Sequence, residues 1–134
     1  MAELHDLSML EQAAAIRRRE VSPVDLVEHY LDRIERHNDT VGAFVHIAPD
    51  QARAAAKDAE SAVTSGVDLP PLHGVPTAIK DLYLTADMPT GFGTAAFPPQ
   101  ELGIDEAFVG RLRAAKRCNA VPSSGLGRTP ISRV

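Results

Sequence analysis

The chain has no tryptophan, two tyrosines, four phenylalanines and a single cysteine in 134 residues. With so few rings, any core must rest on Leu, Val, Ile and Ala, which bury less area per residue than aromatics do. The lone Cys118 excludes an internal disulfide framework. No apolar run reaches the length a bilayer demands. The opening, Met1 to Asp6, lacks the basic segment and hydrophobic stretch of a secretory leader, so a reduced, cytoplasmic setting is the expectation. Positive charge is also short. Fourteen Lys and Arg face 18 Asp and Glu, and the net charge of −4 gives no electrostatic case for nucleic acid or an anionic membrane. Lysine is the scarce cation, at only three residues. Lys57 and Lys116 fall in polar, helix-like stretches where solvation is expected, and Lys80 does not.

What is present suits one α/β domain. A first helix is expected from Ser8 to Arg19, with Leu7, Leu10, Ala14 and Arg17 on one face and Glu11 in the first turn. A second starts at Ser22 as N-cap, with Pro23 in the first helical position and Asp25 completing a capping-box pattern. Its stripe is Val24, Val27, Leu31 and Ile34, and His37-Asn38 is its expected end. Val41 to Ile47 reads as a strand, being short, β-branched and flanked by breakers. A third helix is expected from Asp50 to Ser65, stopped by Gly66, with the thin face Ala52, Ala55, Ala56, Ala59 and Val63. Leu72 to Ile79 reads as a strand leading to Lys80, and Leu82 to Ala86 as another after a bend. Thr90 to Pro99 has loop composition, and a fourth helix begins near Asp105. Four helices with two or three short strands make an incomplete sheet with open edges, the opening portion of a larger α/β fold.

Lys80 ends the run Pro71-Leu-His-Gly-Val-Pro-Thr-Ala-Ile-Lys-Asp81. Local sequence leaves two readings open. Lys80 could be a strand-end charge that reaches solvent or pairs with Asp81. It could instead be partly desolvated by the apolar run before it, lose its proton and serve as a general base.

Several segments, in order and spacing, resemble the amidase signature family, the serine hydrolases that cleave carbon–nitrogen amide bonds. They are the helical opening Leu7 to Glu20, Val21-Ser22-Pro23-Val24-Asp25-Leu26, Arg33-Ile34-Glu35, Gly42-Ala43-Phe44-Val45, Pro71-Leu72-His73-Gly74-Val75-Pro76, Ile79-Lys80-Asp81, Met88-Pro89-Thr90, and Phe108-Val109 with Arg111 to Ala115. The resemblance covers residues 4 to about 115. It implies the N-terminal helices and first strands of a mixed-sheet α/β/α fold over 1–115. It also implies that Lys80 is the base of a Ser–cis-Ser–Lys triad acting on a small-molecule amide without metal or organic cofactor. Association as a homo-oligomer, or with a related amidase subunit, is a further expectation.

Both serines of such a triad belong much further along, in a Gly-Gly-Ser-Ser-Gly-Gly-like stretch. Ser123-Ser124-Gly125 lacks the flanking glycines and follows Lys80 too closely. After Ala115 the family pattern is lost at Lys116-Arg117-Cys118-Asn119-Ala120-Val121-Pro122, so 116–134 is expected to be a divergent, disordered tail and the chain a truncated amidase without independent activity. The alternatives are a helical interaction module, with the hairpin Ser8 to Asn38 packed on a partner, or an unstable gene remnant.

Other constellations carry less. Gly127-Arg128-Thr129 fails as a phosphate-binding loop, because Pro122 stands where the first glycine belongs and Arg128 replaces the lysine. The histidines His5, His29, His37, His46 and His73 show no metal-ligand spacing. His73 is expected to support a turn, and Cys118 to be a dispensable thiol, although Lys116 and Arg117 beside it could depress its pKa. Thr90 to Thr94 either offers backbone N–H groups near a substrate entrance or merely connects.

Overall fold

The computed structural model describes residues 3–96, 98–116 and 123–124, with Lys116, Ser123 and Ser124 described as backbone. After a 3-10 turn at Leu4–Asp6 come α1 (Met9–Arg17), α2 (Pro23–Val41), β1 (Phe44–His46), α3 (Pro49–Ser65), β2 (Ile79–Lys80), α4 (Ala107–Lys116) and β3 (Ser123–Ser124). Among the described residues no helix is long and apolar enough to cross a membrane.

Local chemistry sets the helix ends. Ser8 caps α1 in a reciprocal box: its hydroxyl accepts from the Glu11 N–H at 3.3 Å, and Glu11 Oε2 accepts from the Ser8 N–H at 2.7 Å. These bonds hold the Glu11 carboxyl below its ordinary value. Ser22 caps α2 through the Val24 N–H and donates its own proton to Glu60 of α3. Asp25, expected to complete a box there, is exposed. Gly42 and Gly66 end α2 and α3 in the left-handed conformation, with φ of 60° and 74°.

Two expectations are corrected here. The buried face of α1 is Gln12, Ala13, Ala15 and Ile16, whereas Leu10 is 70% exposed. Moreover α2 runs one turn past His37-Asn38. The Asn38 side chain does not stop the helix; its amide clasps both the N–H and the C=O of Phe44, fixing where β1 begins.

Packing follows from side-chain size. Val27 of α2 meets Ala52, Ala55, Ala56 and Ala59 of α3, and the small alanines let the two helices approach closely. A second cluster joins Ala13, Ile16, Leu26, Val63 and Val75, and there Ile16 and Leu26 are wholly buried. Burying such a side chain contributes roughly 1.5–3 kcal/mol. Gly74 sits against this cluster with φ of 76°, and a Cβ there would lie 3.0 Å from Pro23 Cγ and 3.2 Å from Ile16 Cδ1. A third cluster, Ile79, Met88 and Val109, ties β2 to α4.

The sheet order is β1-β3-β2. β3 runs antiparallel to β1, with an irregularity between Phe44 and His46, and parallel to β2, with Ile79 opposite Ser123 and Lys80 opposite Ser124. The strands are shorter than expected. Leu72 to Ala78 consists of a turn and an irregular approach, so only Ile79–Lys80 is strand. Leu82 to Ala86 is no strand either; it forms a turn closed by a single Thr85–Met88 bridge. Of the segment 116–134 expected to be a disordered tail, Lys116 ends α4 and Ser123–Ser124 form β3, and the rest lies outside the described residues, Cys118, Gly125 and Gly127-Arg128-Thr129 included.

Candidate active site

Lys80 stands at the tip of β2. Alternation along the strand sends Ile79 into the cluster with Met88 and Val109 and leaves Lys80 exposed. The burial expected from the apolar run therefore does not reach the lysine: Val75 and Ile79 are buried, and the side chain after them turns out. Beyond it the chain reverses at once, the Lys80 carbonyl accepting from the N–H groups of Leu82 at 2.7 Å and Tyr83 at 3.0 Å.

Asp81 turns the other way. It is 5% exposed, and its carboxylate accepts from the Gly91 N–H at 2.7 Å and the Gly93 N–H at 3.1 Å. A Cβ at Gly91 would come 3.0 Å from Asp81 Oδ2, a tight contact that would push the carboxylate back by a few tenths of an ångström. Thr90, 2% exposed, donates its hydroxyl proton to the Tyr83 carbonyl and exchanges two 2.9 Å backbone bonds with Gln100. The segment from Thr90 to Thr94 is thus an anchored loop and not a loose connection. Its Gly91 and Gly93 amides are already occupied by Asp81.

Arg113 of α4 braces the far side of this loop system. Its guanidinium pairs two-pronged with Asp87, at 2.5 and 3.2 Å. Its Nε lies 2.9 Å from Asp105 Oδ2, but the N–H aims poorly and that contact is electrostatic only. Burial works against the charge of Arg113, and Asp87 with Asp105 outweighs it, raising its pKa above the ordinary arginine value. Asp105 also accepts from the Ala86 N–H at 2.8 Å.

His73 is structural. It is 1% exposed and bonds through Nε2 to the Ala59 carbonyl at 2.9 Å, pinning the turn before Gly74 to α3. A groove of about 540 Å³ opens between α2, β1 and the approach to β2, lined by Tyr30, Ile34, Val41, Phe44, Pro76 and Thr77 among others. Lys80 is not part of its wall. Histidines distant in sequence do meet in space: His5, His29 and Glu3 bring three ligand atoms within 4.8 Å of one another, a grouping that spacing along the chain hides.

The sequence pattern of the Amidase family matches residues 25–121. The chain belongs to the amidase family. It is 38% identical over 115 residues to a glutamyl-tRNA(Gln) amidotransferase subunit of Salinispora tropica, covering 86% of this chain and 23% of that protein. To the same-named subunit of Mycobacteroides abscessus it is 41% identical over 103 residues, covering 77% of this chain and 21% of the other. A solved amidase structure superposes with a TM-score of 0.78 at 28% identity, over 89% of this chain and 27% of that one. The chain thus spans about a quarter of the length of these amidase-family proteins. Its helices and short strands are part of the amidase-signature fold.

Proposed function

We propose that this chain is the lysine-bearing part of an amide hydrolase in which Lys80 is the general base. Neutral Lys80 takes a proton from a serine held on a cis peptide, and that serine takes one from the nucleophilic serine. The nucleophile attacks the amide carbonyl, backbone N–H groups hold the oxyanion, and the relay returns a proton to the departing amine. Water then releases the acid. The triad needs neither metal nor organic cofactor, and the substrate is a carboxylic amide met in a cytoplasmic setting.

The placement of Lys80 carries this reading. Its strand is pinned by buried Ile79, and Asp81, the nearest carboxylate in sequence, is committed to the Gly91–Gly93 loop. A lysine so positioned is held rigidly at its backbone while its head awaits other partners. An exposed lysine is almost wholly protonated at neutral pH, so the role requires cover. In this reading the remaining three-quarters of the amidase fold supplies both that cover and the two serines. The 134-residue polypeptide alone accordingly turns nothing over.

The test is a chimaera in which this chain replaces the matching quarter of the solved amidase. The chimaera hydrolyses amides with release of ammonia, and Lys80→Met lowers its kcat at least about a hundredfold, as loss of a general base does. Full activity in the Lys80→Met chimaera sinks the proposal. So does turnover by the isolated chain with phosphonate labelling of Ser123 or Ser124.

The apolar groove, together with Leu10 at 70% and Val41 at 64% exposure, favours a second role in which the α1–α2 face docks on a related amidase subunit. Two relatives are themselves named as subunits. Light scattering of the chain mixed with such a protein distinguishes the two: a stoichiometric complex that Val41→Asp dissolves supports docking.

A further inference from the structure

We propose that Glu3, His5 and His29 form a surface site for a borderline divalent transition metal, best suited to Zn²⁺. The two imidazoles come from separate elements, His5 from the 3-10 turn and His29 from α2, and are 24 positions apart in sequence. His5 Nδ1 and His29 Nε2 share a hydrogen bond of 3.0 Å, the ring planes lie within 18° of parallel with centroids 5.1 Å apart, and Glu3 Oε2 lies 3.7 Å from the same His5 Nδ1. Two nitrogens each about 2.0–2.1 Å from a tetrahedral zinc stand roughly 3.3 Å apart. The observed pair is a few tenths of an ångström from that separation, and a metal would take the place of the proton the two rings share, with a small rotation of each side chain.

The surroundings are also those of a metal ligand. The other ring nitrogen of His5, Nε2, faces Asp6 Oδ1 at 3.8 Å. At that distance Asp6 adds negative charge beside the ring without hydrogen-bonding to it, which favours a bound cation. The turn that bears His5 is itself held. The buried amide of Gln12 donates to the carbonyls of Leu4 at 3.0 Å and Leu7 at 3.1 Å, on either side of His5, and to the Tyr30 hydroxyl at 2.7 Å, next to His29. Thus one side chain ties the turn that bears His5 to α2, the helix that bears His29. Asp6 also accepts from the Glu3 N–H at 2.9 Å, which sets the start of the turn. Two neutral imidazoles and one carboxylate make a donor set for Zn²⁺, Co²⁺ or Ni²⁺ and a poor one for Mg²⁺ or Ca²⁺. His5 and His29 are half-buried and Glu3 is exposed, so water completes the coordination. Bound metal would clamp the N-terminal turn onto α2.

The tag-free 134-residue chain is titrated with Zn²⁺ by calorimetry, and with Co²⁺ by visible absorption. One equivalent binds, the Co²⁺ complex shows tetrahedral bands, and Zn²⁺ raises the Tm by several degrees, as binding to the folded state alone must. His5→Ala and His29→Ala each weaken binding more than about tenfold, Glu3→Gln less. Asp6→Asn lowers affinity modestly as a positioning change, with an unaltered circular dichroism spectrum. His46→Ala and Cys118→Ser leave it unchanged, and Mg²⁺ gives no heat. Absence of a one-to-one Zn²⁺ site overturns the proposal. So does a site that survives loss of both His5 and His29, or one that disappears with His46 or Cys118.

Discussion

The stretch from the first turn through α3 and the stretch from Pro70 through α4 are held by different forces. In the first, periodic apolar faces meet: Val27 on four alanines, and Ile16 and Leu26 on Ala13 and Val63, with Val75 reaching in from the second. In the second there is little regular structure, and polar side chains bind backbone: Asp81 to Gly91 and Gly93, Thr85 to the Met88 carbonyl, Thr90 to Tyr83, Asp105 to Ala86. A helical framework spreads the loss of one contact through all its members, whereas a loop scaffold built this way depends locally on a few named carboxylates and hydroxyls. The candidate catalytic lysine lies in the second kind of region, on two residues of strand.

Leu26→Ala gives the largest break in this contrast. It empties a wholly buried site in the helical part and costs about 2–5 kcal/mol by denaturant titration. Loss of protection should spread through α1, α2 and α3 together in hydrogen exchange. Asp81→Ala is next, at about 1.5–3 kcal/mol for the charged hydrogen bonds lost to half-buried Gly91 and exposed Gly93. Here the loss should be confined to the Gly91 and Gly93 amides and their neighbours, with the helices untouched. If Asp81→Ala instead unfolds the helical part, the two regions are not separable and the contrast fails.

Smaller effects sharpen it. Ser22→Ala removes both the cap of α2 and the bond to Glu60, a loss of about 1 kcal/mol seen as a lower Tm. The smallest effect is acid sensitivity. Glu11, bonded by Ser8, Glu20, bonded by Arg18, and Glu28, bonded by Arg53, all have folded values lowered from 4.5. Groups with lowered values stabilise the fold above the ordinary carboxyl range and lose that contribution as pH falls through the lowered values. Tm should therefore decline gently below about pH 4.5. Glu11→Gln should flatten the decline. The exposed pairs of Glu20 and Glu28 should matter less at high salt.

Legibility in the sequence follows the same division. The face of α3, Ala52 to Val63, the Ser22 cap with Pro23, and the Gly66 stop can all be read from residue order, because each is a local rule. The face of α1 misleads, since Leu10 looks apolar and is exposed while Gln12 looks polar and is buried through three hydrogen bonds that no periodicity reports. In the second region, strands expected from Leu72 to Ile79 and Leu82 to Ala86 shrink to Ile79–Lys80 and one bridge. β-branched and apolar residues mark extended backbone there, but a strand needs a neighbour, and pairing across long separations leaves no local trace. Lys80 stands out by its surroundings, yet its exposure depends on the two-residue alternation with Ile79. The Glu3, His5 and His29 grouping is invisible in one dimension.

The strand order carries a consequence for how the molecule comes together. β3 lies between β1 and β2, so neither flanking strand pairs with the other, and Phe44 must wait for Ser124 before its ladder can close. On a ribosome, α1 through α3 would emerge and pack while both strands remain unpaired ribbons. Contacts so distant along the polymer close slowly, since chain entropy must be surrendered before any bond repays it. A nascent copy whose helices settle first would carry bare strand edges until Ser123–Ser124 arrive, and that interval would be the opening for a chaperone or a neighbouring nascent copy.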